Sequence, residues 1–133
     1  MTQEEKDLVL RDLCARLPYS PFVKLMEKFD DEDSEHFREI HNLSTYDIEL
    51  LNSDEISSII PYLRPLSSMT EEETVEYCDL QDKFIWSSQY PVTDGYALFD
   101  WLNAHHFDYR GLIEKGLAIA VTEDNNLYNN IKD

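Results

Sequence analysis

Two capping boxes set the frame for this chain. Thr2 is followed three residues later by Glu5, and Thr70 by Glu73, and each pair stands ahead of apolar residues at helical spacing. A Thr hydroxyl and a Glu carboxylate at that spacing satisfy the first free backbone N–H groups of a helix, so each box marks a start. Between the two boxes the apolar period shortens, which places sheet in the middle and helix at both ends.

The spacing of Val9, Leu13 and Leu17, with Leu10 and Cys14 beside them, predicts a first helix from about Gln3 to Leu17, ended by Pro18 and Pro21. Val23, Leu25 and Phe29 read as a strand, and Asp30 to Glu35 as an exposed connection. Phe37 to Leu43 fits a strand, although Phe37, Ile40 and Leu43 also fit a helical spacing; Tyr46 to Leu50 alternates apolar and acidic residues. Three short antiparallel strands are expected. Ser53 or Asp54 would cap a single turn through Ile60, stopped by Pro61, with Tyr62 to Leu66 as an extended return.

After Thr70 the apolar positions Tyr77, Leu80, Phe84 and Ile85 predict a helix ending before Tyr90 and Pro91, and the acids Glu71 to Glu73 suit its positive N-terminal end. Thr93 or Asp94 opens the next, carrying Leu98, Trp101, Leu102 and His105 or His106. Asp108 would cap a short helix through Lys115 with Gly116 as its left-handed stop, and Leu117 to Val121 would add an edge strand. Asn-rich residues from about 125 to 133 are expected to be a mobile tail. The expected fold is a single α+β domain over residues 1–133: an N-terminal helix, a small antiparallel sheet from about Phe22 to Leu66, and two or three C-terminal helices packed on it.

Charge narrows the function. Eleven Lys and Arg against 28 Asp and Glu leave a net −17, and a surface with that field repels phosphate backbones and anionic lipid. Direct binding to nucleic acid or a membrane is not expected; a basic protein surface would be attracted. Cys14 and Cys78 are too few and too far apart for a disulfide framework or zinc motif, and their helical patterns suggest reduced core residues. No stretch reaches the roughly 20 apolar residues of a membrane span, and the first residues lack a secretory pattern, so the expected location is cytoplasmic.

The segments Leu10 to Tyr19, Pro61 to Glu73 and Trp101 to Ala118 resemble a group of uncharacterised small proteins of gut-bacterial genomes and their phage-like mobile elements. The resemblance implies a mobile-element origin and no established activity.

Chemistry concentrates between Asp100 and Ala118. His105, His106 and Asp108 are residue types that bind zinc, manganese or iron, but neighbours on a helix point about 100° apart and do not converge on one ion. The leading expectation is that one His packs under Trp101 and bonds a backbone carbonyl while Asp108 caps. Arg110, beside Asp108 and Tyr109, would hold the corner by an internal ion pair, with a ligand clamp as the alternative. Tyr62 and Arg64 would form an exposed recognition edge or seat the return strand on the first helix. No nucleophile elbow, glycine-rich loop or activated cysteine is present, so neither catalysis nor a cofactor is expected.

These features predict a non-catalytic acidic interaction protein with a cytoplasmic protein partner. In its sharper form, Asp30, Asp31, Glu32, Asp33 and Glu35 imitate the phosphates of a nucleic acid. The competing expectations are a metal-dependent enzyme at the His105, His106 and Asp108 corner, and a phage assembly accessory.

Overall fold

The chain opens with a helix, passes into a sheet, returns to helix after Thr70, and near its end adds a short strand to the same sheet. The computed structural model describes residues 2–28, 35–51, 58–86 and 94–128. In chain order the elements are α1 (Gln3–Arg16), β1 (Phe22–Lys28), β2 (Glu35–Asn42), α2 (Thr45–Leu51), β3 (Ser58–Leu63), α3 (Glu71–Trp86), α4 (Asp94–Ala104) and β4 (Ile119–Ala120), with short 3₁₀ turns at Leu17–Tyr19 and Leu66–Ser68. Asp30, Asp31, Glu32, Asp33, Ser53, Asp54 and Thr93 lie outside the described residues, and Glu35 opens β2.

Both capping boxes form. The Thr2 hydroxyl accepts the Glu5 N–H at 3.1 Å while Glu5 accepts the Thr2 N–H at 2.9 Å. Thr70 and Glu73 exchange the same bonds at 3.1 and 2.9 Å. One face of α1, Val9, Asp12, Leu13 and Arg16, is buried. Cys14, one residue round the helix from Leu13, is exposed, as is Cys78, so neither cysteine is the core residue expected.

The sheet order is β2-β1-β3-β4. β1 runs antiparallel to β2 and to β3, while β4 pairs parallel with β3, which makes the sheet mixed rather than wholly antiparallel. Leu117 to Val121 thus supplies the edge strand its β-branched residues predict. A bulge between Leu25 and Met26 of β1 opposes one extra β2 residue, Arg38, and keeps Phe37 opposite Met26.

The third strand expected at Tyr46 to Leu50 is instead α2. Alternation is a strand period, but in the helix Asp47 and Leu50, three residues apart, share the buried face and Tyr46 is left exposed. Asp47 is the reason. Its carboxylate accepts the Ser44 N–H at 2.9 Å as a helix-start cap and sits 2.8 Å from His41 Nε2, so the acid assigned to solvent belongs inside. The turn expected through Ile60 is also overturned, because Ser58–Leu63 is β3. Pro61 is tolerated there because Val23, its partner, directs its own backbone toward β2, and the missing N–H of Pro61 points away from β1.

Two apolar clusters result. Val9, Leu13, Val23, Leu25, Leu43, Leu50, Ile59, Leu63, Leu112 and Leu117 form the core between α1, α2 and the inner sheet face. Each such side chain stabilises the fold by at most about 1.5–3 kcal/mol. Leu98, Leu102 and Phe107 form the second cluster, with Met69, Tyr77, Leu80, Trp101 and Tyr109 packed on it. The α3–α4 pair therefore carries a core of its own and joins the sheet at Phe107.

No helix is assigned between Asp108 and Ala118. Asp108 caps as expected, accepting the N–H groups of Leu112 and Ile113 at 2.9 and 3.0 Å, but only one turn follows. Gly116, at φ +74°, closes that turn with bonds from its own N–H to Ile113 and from Leu117 to Leu112. The tail expected to be mobile from residue 125 is packed as far as Tyr128, whose ring stacks on His106 at 3.9 Å. Among the described residues no helix is long and apolar enough to cross a membrane.

Candidate functional site

The corner after α4 is built by its own sequence first. His105 Nδ1 lies 2.9 Å from the Trp101 carbonyl, one helical turn back, and its ring sits 4.3 Å from the Trp101 ring. A carbonyl only accepts, so Nδ1 carries the proton and Nε2 of a neutral His105 holds the lone pair. This is the packing predicted for one of the two histidines. His106 then takes φ +64°, a left-handed conformation rare outside glycine, and the chain reverses. Phe107, wholly buried, follows directly.

Arg64 locks this corner to the sheet and to α3. Its N–H donates to the His106 carbonyl at 2.7 Å, and its carbonyl accepts the Asp108 N–H at 2.9 Å. Its guanidinium lies 4.2 Å above the Phe107 ring and donates two bonds of 2.7 Å to Glu73. That bidentate contact, with the Thr70 N–H, holds the Glu73 carboxyl down at about 2. Arg64 is thus seated on the start of α3, and Tyr62 is buried with its carbonyl accepting the Tyr128 hydroxyl; neither forms the exposed edge, nor the seat on α1, that the sequence suggested.

A second ion cluster fixes the corner to α1. Asp12 and Arg16, both fully buried, bond at 2.7 Å, and Arg16 also donates to the Phe107 carbonyl at 2.6 Å. Arg110 Nε lies 3.3 Å from the other Asp12 oxygen, close enough for an ion pair but outside hydrogen-bond geometry. Arg110 therefore sits in the internal bridge that one expectation assigned to it. No sequence motif announces Asp12 and Arg16. The signal present is their place on the apolar stripe of Val9 and Leu13.

A cleft of about 480 Å³ opens beside the corner, lined by Arg64, Thr70, Glu73, His105, His106 and Tyr128 among others. Burial, reinforced by the charges of Arg16 and Arg64, lowers the His106 pKa to about 4, so the imidazole is neutral at pH 7. Its Nδ1 is buried and has no hydrogen-bond partner among the described residues. Tyr128, whose phenol burial pushes up, accepts the Phe22 N–H at 2.9 Å and donates to the Tyr62 carbonyl at 2.8 Å. Nothing in the Asn-rich sequence around Tyr128 signalled this role.

The cleft brings His105 and His106 together but not Asp108, whose two oxygens are occupied by Leu112 and Ile113. Among the described residues no three His, Cys, Asp or Glu side chains are grouped to hold a metal ion. The corner offers the imidazoles of His105 and His106 and a hydroxyl in a cleft where Arg64 and Glu73 already pair with each other. Comparison with protein-family models, with curated proteins and with solved structures finds no match.

Proposed function

We propose that this protein is a non-catalytic acidic binding module for a basic surface on a protein partner, of the phage or mobile-element origin that the sequence resemblance implies. The observation that carries the reading is the disposition of charge. Arg16, Arg64 and Arg110 are all committed to the inner ion pairs with Asp12 and Glu73, whereas α3 turns Glu71, Glu72, Asp79 and Asp82 outward, with Lys83 paired to Asp79 at 3.3 Å and Glu76 accepting the Trp101 indole N–H at 2.8 Å. Carboxylates three or four residues apart on a helix are spaced by about 4.5–6 Å along its axis, a ladder that can stand in for phosphates. The partner would be a nuclease or DNA-binding protein of the same cytoplasm.

The test is a pull-down from a gut-bacterial lysate, eluted in steps of rising salt. Release of a basic nucleic-acid protein at moderate salt, with DNA competing for the same partner, supports mimicry, because surface charge contacts are screened over about 8–10 Å at physiological ionic strength. The variant with Glu71 and Glu72 changed to Gln and Asp79 and Asp82 to Asn should lose that partner. Undiminished capture by the variant would remove α3 from the interface.

A further inference from the structure

The outer edge of β2 carries a pattern that matches itself. Leu43 donates its N–H to the Pro21 carbonyl at 2.8 Å, which sets the phase of the ladder: His41 and Glu39, opposite Val23 and Leu25, direct their backbone groups at β1. Ile40 and Asn42 therefore present theirs to the open edge. Beyond the bulge the phase is reset by the extra Arg38, so His36 faces β1 and Phe37 and Glu35 face outward. The outward set is residues 35, 37, 40 and 42, symmetric about the point between Arg38 and Glu39.

The bulge also decides the side chains. Phe37 and Ile40, opposite Met26 and Lys24, share the sheet face that α1 and α2 do not cover, and they are 56% and 41% exposed. Arg38 and Glu39 are consecutive, yet their side chains approach to 4.0 Å, which a regular strand would prevent by pointing them to opposite faces. Both are exposed. Among the described residues no strand pairs with this edge.

We propose that β2 pairs antiparallel with β2 of a second copy across a two-fold axis between Arg38 and Glu39, joining two four-stranded sheets into one of eight. In that register every outward backbone group meets an outward group. Phe37 lies beside Ile40 of the second copy, and Arg38 beside its Glu39, twice over by symmetry. The two bulges coincide at the axis. Arg38 and Glu39 carry opposite charges side by side, so the axis itself brings no like charges together. An exposed edge with two large apolar side chains invites unspecific pairing, and the matched charges restrict it to one register.

The experiment is sedimentation-equilibrium mass measurement over a concentration series at physiological ionic strength, with circular dichroism to show that each variant is folded. The wild-type chain should dimerise. Arg38→Glu sets acid against acid at both sites and should raise the dimer dissociation constant by about tenfold or more. The double variant Arg38→Glu with Glu39→Arg restores both pairs with the charges exchanged and should return the constant to within about threefold of wild type. A wild-type monomer throughout the series overturns the proposal. So does a dimer indifferent to Arg38→Glu, or a folded double variant that stays as weak as the single one.

Discussion

Changing Glu73 to Gln isolates what the Arg64 contact is worth. Gln keeps a carbonyl oxygen for the Thr70 N–H, so the capping box survives, while Arg64 loses the opposing charge and one of its two bonds because the amide NH₂ is a donor. A carboxyl held at about 2 instead of 4.5 corresponds to about 3 kcal/mol of linkage between ionisation and folding. The pair is partly solvated, with 21% of the Arg64 and 14% of the Glu73 side chain exposed, which reduces the expectation to about 2 kcal/mol. Because the folded-state pKa is lowered, the contribution is complete above pH 4.5 and is lost as pH falls toward about 2. Urea unfolding at a series of pH values measures it. The variant should be about 2 kcal/mol less stable at pH 7, and the gap should close on acidification. Glu72→Gln, an exposed neighbour without this contact, should change stability by less than about 0.5 kcal/mol. A Glu73→Gln variant as stable as Glu72→Gln at pH 7, or a gap that does not shrink below pH 4.5, would refute the role given to the pair.

Three further outcomes are expected. Asp12→Ala strands the buried Arg16 and should cost about 3–5 kcal/mol in urea unfolding, while adding Arg16→Met to it should recover part of the loss, because an apolar pair replaces an unpaired charge. Tyr128→Phe leaves the Phe22 N–H and Tyr62 carbonyl without their shared partner and should cost about 1–2 kcal/mol, with faster hydrogen exchange at Phe22 as the local sign. His106 should remain neutral in an NMR titration down to about pH 4; since the unfolded chain takes up its proton first, stability should fall as pH drops from 6.5 toward 4, and His106→Asn should flatten that slope. Titration of His106 near 6.5 would contradict its buried placement.

The parts of this fold that were legible are those made by neighbours in sequence. The two capping boxes span three residues each, and the stack of His105 on Trp101 spans one helical turn, so residue type and spacing alone define them. The turn stopped by Gly116 belongs with them. α2 is not legible because the alternation of Tyr46 to Leu50 points to a strand, and the contact that decides for a helix, Asp47 with His41, depends on where β2 lies. Pro61 misled in the same way, since its tolerance in β3 follows from the phase of the β1 ladder.

By itself the sequence determined where α1 and α3 begin, the α+β order of the elements and the excess of acid. Each follows from contacts within a turn of the chain or from composition. Only the tertiary structure decided that Arg16 reaches the Phe107 carbonyl across 91 residues, that Tyr128 closes over Phe22 and Tyr62, and that Arg64 finds Glu73 beneath the corner. A buried charge or N–H must find a partner wherever the packed core leaves one within reach, and spacing along the chain does not specify that distance.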